Sequence, residues 1–215
     1  MYELGEPFPD VAVPPGTNLL VSGPPMTGKR RLAFDVLAAG QRRGEGVIVV
    51  TTKDDADRVR EEFGRRSSGD GPLGIVDCVT RQQGMGGVED EELVRYASSP
   101  VDLTGIGIEL SELLRSFYQE RDRQQNRVLL DSLSTLLMYS DLQTVFRFLH
   151  VFTGRVQSAD GLGLYVLDST AHDEKTMSTL KQLFDGVVEL RETDDGDVER
   201  RLVGLSDVDS AWRAQ

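Results

Sequence analysis

The chain has 215 residues, of which 39% are hydrophobic and 28% are charged, and its formal net charge is −12. This composition excludes a disordered chain, and no apolar run approaches the roughly eighteen residues that span a bilayer, so membrane insertion is not expected. The acidic charge argues against a protein that binds mainly the phosphate backbone of nucleic acid.

Short apolar runs alternate with amphipathic helical patterns along the chain, which favours an α/β fold. Strands are predicted at 17–22, 46–51, 73–79, 127–131, 162–168, 186–192 and 198–205, and helices at 29–43, 54–65, 104–121, 141–158 and 173–184. Because most of the strand runs are continuously apolar, they predict a parallel sheet that helices cover on both faces.

Two connections between the predicted elements have distinctive sequences. The polar turn TDDGD joins the last two predicted strands and predicts an antiparallel hairpin at one edge of the sheet. Residues 80–100 hold three glycines and an acidic cluster, and they predict a long loop beside the sheet. We expect all of these elements to form a single domain over residues 1–215.

The stretch GPPMTGKR follows the first predicted strand and opens the first predicted helix. Its spacing is that of a Walker A loop, G-x-x-x-x-G-K, in which backbone N–H groups point at phosphate oxygens and the lysine adds a positive charge. The residues predicted to contact a nucleotide are Gly23, Pro24, Pro25, Met26, Thr27, Gly28, Lys29 and Arg30. A strand-to-helix turn that binds nothing is the alternative.

Further along, the apolar run NRVLLDS ends in Asp131 and has the form of a Walker B segment. The carboxylate of such a segment lies beside the phosphate loop and holds Mg²⁺ directly or through water. Asp131 is therefore the predicted metal-binding residue. A buried strand that ends in an aspartate beside a helix start is the alternative.

Five stretches together resemble a known family. GTNLLVSGPPMTGKR, GEGVIVVTTKDD, NRVLLDSLSTLLMYSD, LGLYVLDSTAHDE and LFDGVVELRETDDGDVERRLVGL follow, in order, the landmarks of RecA-superfamily ATPases of the KaiC-like archaeal group. The resemblance covers almost the whole chain. It implies a RecA-like P-loop NTPase fold, a three-layer sandwich with a mostly parallel sheet and a C-terminal antiparallel hairpin, with ATP at the C-terminal strand edge and ring or filament assembly.

The same resemblance assigns a role to the segment after the 162–168 strand. Ser169, Thr170 and His172 match the segment that senses the γ-phosphate in that family. The alternative is that these residues only begin the next helix, with Thr170 or Asp173 as its cap.

Three features depart from the family pattern. Arg30 stands where the family has a Ser or Thr whose hydroxyl binds Mg²⁺, and a guanidinium has no lone pair to offer. Thr52 and Lys53 stand where the family has paired glutamates that polarise the attacking water. The acidic segment VGLSDVDSAW lacks the basic Lys-x-Arg element, and a charge finger alone is worth roughly 10³–10⁵ in turnover. We therefore expect very slow hydrolysis or none.

Alternatives stay open at two of these places. Arg30 is expected either to place a fixed positive charge near the phosphates or to point into solvent. Asp54 and Asp55 are the candidates for a general base in a shifted register. The interpretation we favour is that these two residues start the 54–65 helix, where acidic side chains suit the positive end of the helix dipole.

The charged residues have a particular bias. Asp (21) outnumbers Glu (15), and Arg (20) outnumbers Lys (4). This resembles proteins of extreme halophiles, in which molar salt screens charge repulsion to a range of roughly 3 Å. An ordinary acidic cytosolic protein is the alternative. The N-terminus has no signal-peptide pattern and the lone Cys78 excludes an intramolecular disulfide, so a cytoplasmic location is predicted.

The predicted function is that of a KaiC-like RecA-fold protein that binds ATP or ADP, with weak Mg²⁺ binding, and acts as a regulatory or signalling switch with weak or no hydrolysis. An active ATPase, a recombinase-like DNA-repair accessory protein and a scaffold with an empty loop are the alternatives. The expected partners are the nucleotide and either further copies of the chain or a different protein. Nucleic acid is not an expected partner.

Overall fold

A central sheet of nine strands organises the computed structural model, which describes residues 1–67, 69–82, 84, 92–119, 124–206 and 208–215. The strands are β1 (Tyr2–Glu3), β2 (Ala12–Val13), β3 (Asn18–Gly23), β4 (Gly46–Thr51), β5 (Leu73–Asp77), β6 (Val94–Tyr96), β7 (Asn126–Asp131), β8 (Leu162–Asp168), β9 (Gly186–Glu192), β10 (Val198–Val203) and β11 (Arg213–Ala214). The helices are α1 (Lys29–Gln41), α2 (Ala56–Gly64), α3 (Leu103–Gln119), α4 (Leu133–Tyr139), α5 (Leu142–Ser158) and α6 (Glu174–Lys181). Strands β1 and β2 pair with each other outside the large sheet.

The strand order of the large sheet is β11-β10-β9-β3-β8-β7-β4-β5-β6. From β9 to β6 all neighbours are parallel, whereas β10 runs antiparallel to β9 and to β11. The predicted mostly parallel sheet with a C-terminal antiparallel hairpin is thereby confirmed. At the carboxyl edge, Gly23 lies opposite Asp168 and Thr51 lies opposite Asp131. This is the edge at which open α/β sheets bind ligands.

Helices cover both faces of the sheet and make three layers. Leu19 and Val21 of β3 belong to a buried cluster that also contains Phe34 of α1 and Phe63 of α2. Leu20 belongs to a second cluster, formed with apolar residues of α3, α4, α5 and α6. Because successive side chains of a strand point to opposite faces, a strand buried on both sides is apolar at every position.

A buried ion pair fixes the amino edge of the sheet. Arg127 is 0% exposed and donates from Nε and Nη2 to the Glu45 carboxylate at 2.6 and 3.1 Å. Its Nη1 donates to the Val36 carbonyl at 2.7 Å. Gly40 makes room for this arrangement, because a Cβ there would lie 2.1 Å from Arg127 Nε. The pair ties β7 to α1 and to the residue before β4.

The structure adds elements that the sequence patterns did not predict. Helix α4 follows β7 directly and is capped by Ser132, whose side chain accepts the Thr135 N–H at 3.4 Å. Strand β6 lies within residues 80–100, so the prediction of a loop is wrong for Val94–Tyr96, which pair in parallel with β5. Residues 83 and 85–91 of that segment lie outside the described residues. Such short elements offer too few positions for a period to be recognised.

Membrane insertion was not expected from the sequence. Across the described residues, no helix has both the length and the apolar character required to cross a bilayer.

Candidate functional site

The loop between β3 and α1 has an unusual backbone. Met26 has φ 63° and Gly28 has φ 76°, which are left-handed conformations. Gly28 is the N-cap of α1, and no described side chain caps this helix or adds an acidic group in its first turn. The first N–H groups of a helix lack intrahelical partners, so α1 presents donors and the positive end of its dipole to an anion. The loop unites the predicted residues Gly23, Pro24, Pro25, Met26, Thr27, Gly28 and Lys29.

Lys29 begins α1 and is only 6% exposed. Its Nζ donates to the Pro24 carbonyl at 2.5 Å and forms an ion pair with Asp168 Oδ1 at 2.6 Å. Thr27 Oγ1 donates to the same carbonyl at 2.8 Å, so the loop is closed by its own side chains. The ammonium that was predicted to meet a phosphate is therefore engaged by Asp168.

The end of β8 connects this ion pair to α4 and α6. The Asp168 N–H donates to Ser134 Oγ at 2.9 Å, and the same oxygen lies 3.1 Å from His172 Nε2. Burial lowers the pKa of His172 from its ordinary value of 6.5, against the opposing effects of Asp168 and Asp173. The lowered pKa favours the neutral imidazole at pH 7, and its Nε2 shares a hydrogen bond with the Ser134 hydroxyl.

The two predicted sensor residues, Thr170 and His172, have different surroundings in the structure. His172 joins the network at Ser134, whereas the Thr170 side chain is exposed. Of the two caps considered for the next helix, Asp173 is the one observed, because it accepts the Thr176 N–H at 2.8 Å at the start of α6.

Arg30 reaches across the ends of β4 and β7. Its Nη1 lies 3.0 Å from Asp131 Oδ2, its Nε lies 3.1 Å from Glu62 Oε2, and the guanidinium also pairs with Asp54. Its Cζ lies 5.0 Å from the centroid of the Phe34 ring, an attractive cation–π arrangement. The side chain is 19% exposed, so of the two alternatives considered for Arg30, the orientation into solvent is wrong. The charge is directed at carboxylates.

The Asp131 carboxylate, the predicted metal ligand, is 2% exposed and faces the Arg30 guanidinium. Burial raises the pKa of Asp131, and the positive charges of Arg30 and Lys53 oppose that effect. Asp131 Oδ2 has no hydrogen-bond partner among the described residues, so its contact with Arg30 is an ion pair without hydrogen-bond geometry.

Mg²⁺ prefers oxygen ligands in an octahedral array at about 2.0–2.1 Å. No hydroxyl follows Lys29 in the sequence, and the Asp131 carboxylate is already neutralised by a cation. Within the described residues, no group of three or more His, Cys, Asp or Glu could hold a metal ion. The residues present do not fit Mg²⁺ at Asp131.

Thr52 and Lys53 occupy the positions at which the family has paired glutamates. Thr52 is buried, its N–H donates to the Asp131 carbonyl at 2.8 Å, and its Oγ1 accepts the Ser132 N–H at 2.9 Å. Thr52 thus joins the ends of β4 and β7, while the Lys53 side chain is exposed. These two side chains provide no carboxylate that would activate a water molecule.

Asp54 and Asp55, the candidates for a general base, already have partners. Asp55 caps α2 by accepting the Arg58 N–H at 2.8 Å, which confirms the favoured interpretation for this residue. Asp54 pairs with Arg30 and, at 3.1 Å, with Arg58 Nε. Neither carboxylate is free of protein contacts to act on a water molecule.

A cleft of about 520 Å³ opens beside the loop. One wall includes Met26, Gly28 and Arg31, and the other includes Arg200 of β10 and Gln215. Gln215 is held there because its N–H donates to the Val198 carbonyl at 2.9 Å. Met26 is 99% exposed at the rim. The volume lies in the range of small-molecule sites, roughly 300–1,000 Å³.

Three residues of this site were not predicted: Asp168 as the partner of Lys29, Ser134 and Glu62. Asp168 ends the run LGLYVLD just as Asp131 ends NRVLLD, so its place at a carboxyl strand end was a usable signal. Ser134 and Glu62 carry no such signal, because only the packing of α4 and α2 against the sheet edge brings them to the site.

Comparison with known proteins gives one family and several relatives. A model described as "Family of unknown function (DUF7504)" matches residues 16–190. UPF0273 protein SSO1861 of Saccharolobus solfataricus is 31% identical over 132 residues, which is 59% of this chain and 44% of that protein. UPF0273 protein PAE3143 of Pyrobaculum aerophilum is 33% identical over 132 residues, with the same two shares. The chain spans less than half the length of these curated relatives.

Solved structures are similar over most of the chain. The KaiC-like protein PH0186 of Pyrococcus horikoshii has a TM-score of 0.67 and 12% identity, covering 94% of this chain and 85% of that one. The uncharacterized protein PH0321 of the same archaeon, in complex with an unknown peptide, has a TM-score of 0.70 and 12% identity, covering 94% of both chains. At this identity the likeness concerns the fold, and it confirms the KaiC-like RecA-type fold.

Proposed function

The chain belongs to the DUF7504 family, whose description assigns no function, and from that premise we propose that it is a nucleotide-binding protein that senses ATP or ADP rather than a motor that consumes them. Nucleotide in the loop at 23–30 would act as a ligand with different affinities for two conformations. The KaiC-like fold and the cleft beside the loop both support this proposal.

The observation that carries the proposal is the burial of Lys29 at the uncapped start of α1. A lysine that is 6% exposed loses most of its hydration, so it needs a specific anionic partner. Its ammonium is directed into the loop by the Pro24 carbonyl and meets the Asp168 carboxylate. A polyphosphate offers the same ammonium a more highly charged partner, and the free N–H groups of α1 favour it further.

The switch follows from the partners of Asp168. When a phosphate replaces this carboxylate at Lys29, Asp168 loses its ion pair while its N–H remains bonded to Ser134. Ser134 in turn contacts His172, which directly precedes the cap of α6. Occupancy of the loop would thus be coupled to the start of α6 through Asp168, Ser134 and His172, with the backbone N–H of Asp168 as the first link. PH0321 was crystallised with a peptide, which is compatible with a protein partner as the receiver of such a signal.

Weak or absent hydrolysis is part of the proposal. Thr52 forms hydrogen bonds that join the ends of β4 and β7. The Asp55 carboxylate accepts a hydrogen bond as the cap of α2. Without a positioned base or an ion that stabilises the developing charge, a phosphoryl-transfer site loses most of its rate enhancement.

A fluorescent ATP analogue tests the proposal by titration against wild-type protein and the variant Lys29→Ala. Lys29→Ala is expected to weaken binding by at least about tenfold, because the loop loses its only buried ammonium. Lys175→Ala, which removes an exposed lysine of α6, is the matched control and should bind as wild type does. Equal affinities for Lys29→Ala and wild type would refute the assignment. Phosphate release by wild type above the level of Lys29→Ala would instead favour an active ATPase.

A further inference from the structure

Arg30 is held by three carboxylates and one aromatic ring. Asp131 comes from the end of β7, Asp54 from the connection between β4 and α2, and Glu62 from α2. Their side chains are 2%, 19% and 22% exposed, respectively. The Phe34 ring packs against the guanidinium. An arginine on a solvated helix face would not collect these partners, so charge and packing together fix the position of this side chain.

The guanidinium lies where a divalent ion would have to approach Asp131. Its Nη1 is 3.0 Å from Asp131 Oδ2, whereas Mg²⁺ needs that oxygen at about 2.0–2.1 Å. The ion would therefore have to displace Arg30 and break its contacts with Asp54 and Glu62 as well. If Arg30 stayed nearby, two cations would repel each other in a largely buried place where screening by solvent is weak.

A metal ion in a phosphate-binding site has two electrostatic tasks. It neutralises the acidic residue at the end of the neighbouring strand, and it adds positive charge beside the phosphates. Arg30 already performs the first task on Asp131, while Lys29 and the N–H groups at the start of α1 provide positive charge on the phosphate side. The acidic strand end therefore does not need an ion before a polyphosphate can approach.

We infer that Arg30 replaces the divalent cation of this site, so that the chain binds a nucleoside di- or triphosphate without requiring Mg²⁺. This inference rests on the proposed function. It adds to that function the independence of binding from Mg²⁺ and names the residue that causes it. The fraction of protein that has nucleotide bound would then depend on the total nucleotide concentration and not on the concentration of the magnesium complex.

The test is a titration with the fluorescent ATP analogue in EDTA and in millimolar Mg²⁺ at matched ionic strength. Wild-type affinity is expected to agree within about twofold between the two buffers, whereas Arg30→Thr, which supplies a hydroxyl and frees Asp131, is expected to bind at least about tenfold more tightly with Mg²⁺. Arg58→Thr is the matched control, because Arg58 contacts Asp54 but is 70% exposed. It should remain insensitive to Mg²⁺.

A second readout does not involve nucleotide. Mn²⁺, followed by electron paramagnetic resonance as a probe of the metal site, should bind to Arg30→Thr and not to wild type. If Arg30→Thr does not fold, the double variant Arg30→Thr/Glu62→Gln, which removes one of the three carboxylates, carries the same two measurements.

The outcomes separate the two proposals. Wild type that binds nucleotide only with Mg²⁺ overturns the inference and leaves the proposed function standing. Wild type that binds in neither buffer overturns the proposed function and the inference with it. A folded Arg30→Thr that gains neither Mg²⁺ dependence nor a Mn²⁺ signal shows that Arg30 does not take the place of the metal.

Discussion

The Lys29 ammonium and the Asp168 carboxylate lie 2.6 Å apart, one at the start of α1 and the other at the end of β8. The sheet register places Asp168 opposite Gly23, which ends β3 and begins the loop. Under the proposed function, a polyphosphate in the loop would compete with the Asp168 carboxylate for this ammonium, and the nucleotide affinity would reflect the balance between the two contacts.

The first prediction concerns that competition. Asp168→Asn removes the negative charge but keeps the size of the side chain and the backbone N–H that donates to Ser134. Because Lys29 no longer has a charged partner in the protein, nucleotide is expected to bind several-fold more tightly, as measured by isothermal titration calorimetry. Asp160→Asn, which removes one charge before β8 at the opposite end of that strand, should leave the affinity unchanged. Weaker binding by Asp168→Asn would mean that Asp168 assists the nucleotide and does not compete with it.

The second prediction concerns pH. Burial lowers the pKa of His172 in the folded protein, so the unfolded chain binds more protons there than the folded one. The contribution of His172 to stability is therefore present above pH 6.5 and is lost as the pH falls through the lowered folded-state value. Thermal unfolding from pH 8 to pH 5 should show a smaller fall in melting temperature for His172→Gln than for wild type. His150→Gln, which changes the exposed histidine of α5, should follow the wild-type curve; identical curves for all three proteins would contradict the prediction.

The third prediction concerns the buried pair of Arg127 and Glu45. Glu45→Ala leaves the Arg127 guanidinium buried without a counter-charge, which should lower the free energy of unfolding by about 3–5 kcal/mol in urea denaturation. Salt should change this difference little, because solvent ions do not reach a buried pair. Glu61→Ala removes the exposed pair with Arg65 on α2 and should cost less than about 0.5 kcal/mol. Similar losses for the two variants would refute the special role of the buried pair.

The fourth prediction concerns the loop backbone. Gly28 has φ 76°, so Gly28→Ala is expected to cost roughly 1–2 kcal/mol of stability and to distort the N-cap of α1. Nucleotide binding should weaken because the N–H groups of the loop and helix start lose their common direction. Gly16→Ala introduces an alanine at φ 83° before β3, away from the loop, and is the control for strain alone. It should lose stability but bind nucleotide normally, and equal binding losses in both variants would point to a global effect.

Much of the fold and part of the site could be predicted from local patterns. The predicted bounds of β4, β8 and β9 agree with the structure. Strands β4 and β8 are apolar along almost their whole length because both of their faces are buried, whereas β9 also carries Glu189 and Arg191. Lys29 and Asp131 could be singled out because their motifs fix the spacing after β3 and the place at the end of β7. These signals lie within one element or at its border, and sequence periodicity reports on that scale.

The rest depends on which elements meet. The direction of Arg30 is decided by Asp54 and Glu62, and α2 brings Glu62 to it from more than thirty residues along the chain. The ion pair of Asp168 with Lys29 depends on β8 lying beside β3, although Lys29 and Asp168 are 139 positions apart in the sequence. No local pattern records such neighbours, so the sequence allowed two orientations for Arg30 and gave Lys29 no partner.

The pairing of Gly23 with Asp168 has a consequence for how the family can vary. Side chains along a strand alternate between faces, so a shift of β8 by one position would place Leu167 beside the loop and turn Asp168 towards the helices. The alignment that buries Leu164 and Val166 thus also keeps a carboxylate within reach of the lysine. A change in the register of β8 would therefore remove the partner of Lys29 and, under the proposed function, change the affinity for nucleotide.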